Sequence, residues 1–437
     1  MTIRLPVSYL LIVPALAMLC APASAQFIYG RLIPDINLEA NGASTAVDVS
    51  ADGRTVVFAS TAQNWVGDAY NGTRAVVVDL DTGLIDVAST DGTGVFRGEH
   101  PVVSDDGRFV TFLTYGHPSG PGWQVLRKDR QTAQVLLASS NVIGQAAQNG
   151  TDDDTVSMST DGRYVVFASA STNLGVATGG NTEIIQKDML AGTVELVTAK
   201  PDGSASGGNC SLYPHALSGD GRLVTFTCSQ DLFPGAGWGQ TYVRDVVNNT
   251  SELISRVGAS GASSTAATAR SAISANGRYV SFQSRCYGGL GAVNGDCINN
   301  SGVYLRDRQT QTTIPIPRPA DLDASYTESC RDTAVSDLGT VIMACNAPAG
   351  PSASKYVVFL YVPGQGAPEL LSSNNAGEMP NGQSGYSLAV NANGLSMAFE
   401  STANDIDPGD GNSASDIFVL VHQSLLSDTI FADGFEN

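Results

Sequence analysis

The sequence predicts an all-β chain folded as a seven-bladed β-propeller of four-stranded antiparallel blades. Three observations predict it. A motif of the form S-x-D/N-G-R-x-V-x-F starts at Ser50, Ser104, Ser159, Ser218 and Ser274, with eroded copies at Ser336 and Asn391. Successive copies lie 54, 55, 59, 56, 62 and 55 residues apart, so seven units of similar length fill the chain. The composition, with 47 glycines and only 15% charged residues, suits short strands joined by turns, and long helical runs of Leu, Glu, Lys and Ala are missing.

Each unit carries the same order of elements. In the first, residues 46–50 alternate like a strand, Asp52-Gly53 forms a turn, and residues 56–59 are an apolar run too short for a helix. A polar loop follows, then a third strand at 75–78, a turn at 79–83 and a fourth strand at 84–88. The Asp-Gly or Asn-Gly step recurs because a tight turn needs positive φ, which Gly adopts without steric cost. The serine two residues ahead can bond the turn amides, and Asp129, Asp188, Asp245 and Asp307 each cap the later turn of their unit.

Second strands such as 164–167 and 223–226 are apolar on both faces, so each sheet must be covered on both sides by copies of itself. Radial stacking does that, and seven units can close a ring. The seventh unit supplies strands at 386–391, 396–401 and Asp416–His422 but lacks a fourth. Residues 27–33 lie ahead of the first unit at the spacing a fourth strand keeps. They are expected to pair with Asp416–His422 and close the ring.

The start of the chain reads as an address. Arg4 precedes an apolar run at 10–19 and an Ala23-Ser24-Ala25 cleavage site, so residues 1–25 are expected to be a signal peptide, 26–423 the propeller and 424–437 a short tail. Lipidation at Cys20 is disfavoured because Leu19 stands where a small residue is wanted. Export to the periplasm or beyond fits the cysteines. Six follow the leader, Cys210, Cys228, Cys286, Cys297, Cys330 and Cys345, and they fall into three local couples, 210–228, 286–297 and 330–345. No C-x-x-C pair points to zinc or redox chemistry.

At this point the repeat resembles the WD40-like units of TolB-type propellers. It is closer still to exported bacterial propellers with units of the form S-x-D-G-R-Y-V-x-F-x-S, then an Asn-Leu-x-x-Gly-Asp-x-Asn loop, then D-x-F-V-x-D. Residues 159–169 match the first part and residues 404–419 the loop and third strand, while 242–245 and 304–307 match the end. The resemblance spans the expected mature chain and implies binding or scaffolding more than catalysis. Units two and six depart from the loop pattern at 115–123 and 346–354. The ending 428–437 is similar to a short tail on exported proteins, either a sorting mark or a frayed end.

Charge and motif content exclude several classes. Without Arg4, 22 basic residues face 42 acidic ones, a surface that repels nucleic acid. No G-x-S-x-G elbow is present, and His100, His117, His215 and His422 show no metal spacing, although His100 and His215 precede their marker serines similarly and are expected near the channel. Asp405, Asp407, Asp410, Asn412 and Asp416 gather oxygen ligands in one loop, a candidate calcium site whose register is not that of an EF-hand; Asp68, Asn71 and 152–154 echo it weakly. Trp65, Trp123 and Trp238 fall between second and third strands and are expected on one rim, as a platform for a peptide or glycan or, alternatively, as packing over a blade edge. The expected function is a monomeric, non-catalytic scaffold for a protein, peptide or envelope polymer. The alternatives are a hydrolase or lyase on a polysaccharide or lactone, using channel-mouth carboxylates, and a calcium-stabilised structural propeller.

Overall fold

A computed structural model of the chain describes residues 27–423 except 35–38, 68, 153–154, 233–234, 286–288, 291–300, 320–321, 323–329, 351–352 and 413. The expected leader and tail, Asp68, Asp153, Asp154 and the 286–297 cysteine couple lie outside the described residues.

Seven four-stranded antiparallel sheets follow one another in chain order. Blade 1 is Ser44–Val49, Thr55–Ser60, Arg74–Asp79 and Ile85–Val87; blade 2 runs from Glu99–Val103 to Val135–Leu137, blade 3 from Val156–Met158 to Val194–Leu196, and blade 4 from Cys210–Ser211 to Thr250–Leu253. Blade 5 runs from Thr268–Ile273 to Thr312–Pro315 and blade 6 from Cys330–Val335 to Glu369–Leu370. Blade 7 joins Ser384–Val390, Ser396–Ser401 and Asp416–His422 to the N-terminal strand Phe27–Arg31, with Phe27 opposite His422 and Arg31 opposite Phe418. The expected closure is thus present.

The repeat motif explains the geometry. Ser50 Oγ donates to Asp52 at 2.6 Å and accepts from the Thr55 amide at 2.9 Å, and Ser104, Ser159 and Ser218 repeat both bonds. The turn glycine has a second task that periodicity alone does not show. Gly221 sits at φ 74°, and a Cβ there would lie 2.1 Å from the Tyr164 ring of the preceding blade. Gly53, Gly107, Gly162 and Gly277 meet the equivalent residue of their own preceding blades in the same way. The arginine after each glycine reaches the capping Asp of the later turn: Arg108–Asp129, Arg163–Asp188, Arg222–Asp245 and Arg278–Asp307.

Second strands form the buried layer, with Phe58, Phe112, Phe167, Phe226, Phe282 and Phe399 inaccessible. Disulfides join Cys210 to Cys228 and Cys330 to Cys345, each across the first two strands of one blade. They fit folding in an oxidising compartment. Among the described residues no helix is long and apolar enough to cross a membrane. The departures in units two and six are hairpins: Phe109–Tyr115 pairs with Trp123–Asp129, and Val341–Gly350 with Ala353–Tyr361.

Candidate site at the central channel

Antiparallel order puts the first-to-second and third-to-fourth turns on one face of the ring, here the turn face. The second-to-third loops and the connections between blades make the other, the loop face. First strands line the channel between them.

The turn-face end is built from backbone. The residue after each marker bonds the next blade: Asp105 N to Thr160 O at 2.8 Å, Thr160 N to Gly219 O at 2.9 Å, Gly219 N to Ala275 O at 2.8 Å and Asp337 N to Ala392 O at 2.8 Å. Side chains make two further junctions, Asn276 N to Asp337 Oδ1 and Asn391 Nδ2 to Ala51 O. Inside this collar lies a cavity of about 90 Å³, lined by residues of all seven blades and including Asp48, Asp105, Ser157 and His215. It has room for a few waters.

His215 spans the channel from blade 4. Its Nδ1 is 3.9 Å from Asp48 in blade 1, and its Nε2 is 2.9 Å from Leu388 O in blade 7. Asp48 also accepts from Val103 N at 2.9 Å, yet burial pushes its carboxyl above the usual range. Burial and the neighbouring Asp48 raise Asp105 to about 6. His215 therefore reaches the channel as expected, while His100 stands at the loop-face end of its strand.

At the loop-face end the first strands break register. Ala46, His100, Arg270 and Asp332 adopt left-handed backbone, with φ of 53°, 47°, 53° and 42°, and each sits at a shift in strand pairing. Such residues cost about 1–2 kcal/mol each, and bulges re-aim the side chains that carry them. Here Asp332 pairs with Arg270 and, at 3.2 Å, with Arg331. The Arg331 guanidinium lies against two rings, 3.7 Å from the Tyr356 centroid and 4.5 Å from that of Tyr386. Tyr386 remains 52% exposed. Glu400, buried beneath, accepts from Ala46 N at 3.0 Å and Ser387 Oγ at 3.1 Å, and burial raises its carboxyl to about 7.

In blade 2, Arg97 pairs with Glu99 at 2.6 Å and stacks 4.6 Å from the Trp123 ring, which packs edge-on against Tyr115. The three tryptophans are not equivalent. Trp238 is exposed and Trp123 half-buried. Trp65 departs from the expected exposed rim: it is only 4% accessible, packs on Phe58 and donates Nε1–H to Ser60. It sits in a short 3-10 turn, Gln63–Trp65, that folds the ring into the core.

The acidic loop of blade 7 does gather its carboxylates, around an arginine. Arg31, at the end of the closing strand, meets Asp407 at 2.7 Å, Asp416 at 3.0 Å, Asp410 at 3.3 Å and Glu39 at 3.4 Å. Asp405 turns elsewhere and accepts from Asn381 N and Asn374, while Asn412 bonds Glu39. Burial raises Asp416 to about 6, and raises Asp410 beside it. Neither Arg31, Arg331 nor Tyr386 stood out in the sequence, because none belongs to the repeated motif.

No family model and no curated protein matches the sequence. Solved structures do match. An oligogalacturonate lyase from Vibrio parahaemolyticus aligns over 90% of this chain and 97% of its own, at 11% identity and a TM-score of 0.53. The β-propeller domain of the Trilobed protease from Pyrococcus furiosus, described as having an open velcro topology, aligns over 86% and 95%, at 12% identity and 0.52. TolB from Acinetobacter baumannii aligns over 72% and 75%, at 16% identity and 0.39. At these identities the likeness is one of fold. The chain is a seven-bladed β-propeller, with a repeat that resembles TolB-type units and a ring closed by its own N-terminal strand.

Proposed function

We propose that this chain is an exported, non-catalytic propeller that binds a component of the cell envelope, a peptide, protein or polymer, at the loop-face mouth of its channel. One observation carries the reading: an arginine stacked on two tyrosines, one of them exposed, at the place where successive strands bulge. A purely structural channel end would be expected to follow the repeat, as the turn face does. The test is a pull-down from envelope and culture-medium fractions with immobilised protein starting at Gln26, run with calcium and with chelator. A partner enriched by the wild type and lost with Tyr386→Ala is expected; equal capture by both proteins would overturn the reading.

A second reading has one observation in its favour. Glu400 is poised to exchange a proton near neutrality and feels the charges of Arg331 and Asp332. A hydrolase or lyase acting on a polysaccharide or lactone could use such a carboxyl as acid or base. Turnover of a saccharide or lactone that disappears in Glu400→Gln, with binding intact, would select this reading over the first.

A further inference from the structure

We propose that the loop-face mouth takes an acidic glycan, a saccharide chain bearing carboxylates, with Arg331 as its carboxylate-binding residue. The inference rests on the reading of that mouth as the ligand face. Arg331 has donor capacity to spare: Nη2 is buried with no hydrogen-bond acceptor, and Nε meets only Asp332, at 3.2 Å. Its ion-pair partner Asp332 is shared with Arg270, so two guanidinium groups divide one carboxylate. Buried donors of a charged group are costly to leave unmade, and a ligand carboxylate is the acceptor whose geometry matches a guanidinium fork.

The tyrosines add preorganisation. Contact with two rings fixes the guanidinium, so little side-chain freedom is lost on binding. The open face of Tyr386 offers a flat apolar surface of the kind that sugar rings cover. A second station stands in blade 2, where Arg97 lies over Trp123 and gives Nε and Nη2 to Glu99, leaving Nη1 outside that pair. A polymer with a carboxylate on each sugar has one to offer each station, whereas a peptide C-terminus carries one carboxylate. The chain's formal charge of −19 does not forbid an anionic ligand. Screening over roughly 8 Å at physiological salt silences distant carboxylates but not arginines in contact.

The experiment is titration calorimetry with oligogalacturonate, with the same oligomer fully methyl-esterified, and with an oligoglutamate peptide. The acid form should bind and the ester should bind at least about tenfold more weakly, because the charge-assisted bonds are lost. Arg331→Met should weaken the acid form at least about tenfold, and Arg97→Met by a smaller factor. Thermal melts establish that the variants are folded. If Arg331→Met does not fold, Arg331→Lys decides, since it keeps the charge and removes the fork; weaker binding is expected. Equal binding of ester and acid, unchanged affinity in a folded Arg331 variant, or binding of oligoglutamate alone would overturn the proposal. A captured partner lost with Tyr386→Ala while the uronate fails would overturn the ligand class and leave the mouth as the binding face. A partner retained by Tyr386→Ala would overturn both.

Discussion

The two ends of the channel are built from the same seven strands and differ in kind. At the turn face, four junctions between successive blades are backbone bonds made by one repeated position, and a glycine allows each blade to approach its neighbour. At the loop face the blades differ: Ala46, His100, Arg270 and Asp332 occupy bulges in blades 1, 2, 5 and 6, and blades 6 and 7 add Arg331, Tyr386 and Glu400. Uniform packing can be written once and copied. Recognition of a ligand that lacks sevenfold symmetry needs positions free to differ.

The largest expected effect would blur this contrast, because part of the loop face is core. Trp65→Ala should lose about 3–5 kcal/mol, seen as a lower denaturation midpoint, since its ring is buried against Phe58. Arg31→Ala leaves Asp407, Asp410 and Asp416 facing one another at the closing strand. A loss of about 3–5 kcal/mol is expected from breaking a buried cluster. Calcium should raise the melting temperature of Arg31→Ala and leave the wild type unchanged, because the guanidinium already fills the cage; a calcium-dependent shift in the wild type would show that the loop takes metal beside Arg31.

At the turn face, Gly221→Ala should cost about 1–3 kcal/mol while leaving ligand binding intact, because its φ is 74° and Tyr164 stands in the way. The contrast is sharpest against Trp238→Ala and Tyr386→Ala. Trp238 is exposed, so its loss should move stability by no more than about 0.5 kcal/mol in a denaturant titration, while Tyr386→Ala, which also gives up the Arg331 contact, should cost about 0.5–1 kcal/mol.

Acidity gives a further, smaller test. Asp105, Asp416 and Glu400 have folded values raised to about 6, 6 and 7. Between the unfolded value of a carboxyl, about 4, and these values the folded chain holds protons that the unfolded chain has released, so stability falls as pH rises through that window. Asp307, lowered to about 2 by Arg278, acts oppositely, and its contribution is lost as pH falls below about 4. Melting temperature should therefore be higher near pH 5 than near pH 8. Glu400→Gln should flatten the upper part of that profile; an unchanged profile would show that Glu400 is not the group titrating there.

Much of this was legible in the chain. Blade number, turn positions, ring closure and the two disulfides within blades 4 and 6 follow from features that repeat or lie close together, and local chemistry acts alike in every copy. The tryptophan rim was less legible. Trp65 and Trp238 both fall between the second and third strands of their units, yet one ring folds inward and the other stays in solvent.

The acidic loop makes the same distinction. Its composition determined that a cation belongs there, because clustered carboxylates repel unless neutralised. Tertiary structure brings one in from afar: the closing strand carries Arg31 across 376 positions of sequence to Asp407. The Arg331 stack likewise joins residues of blades 6 and 7. Periodicity sets the repeated frame through short-range bonds that every copy can make. Which unrepeated side chains meet at its mouth depends on closing the ring, and only the folded chain brings them together.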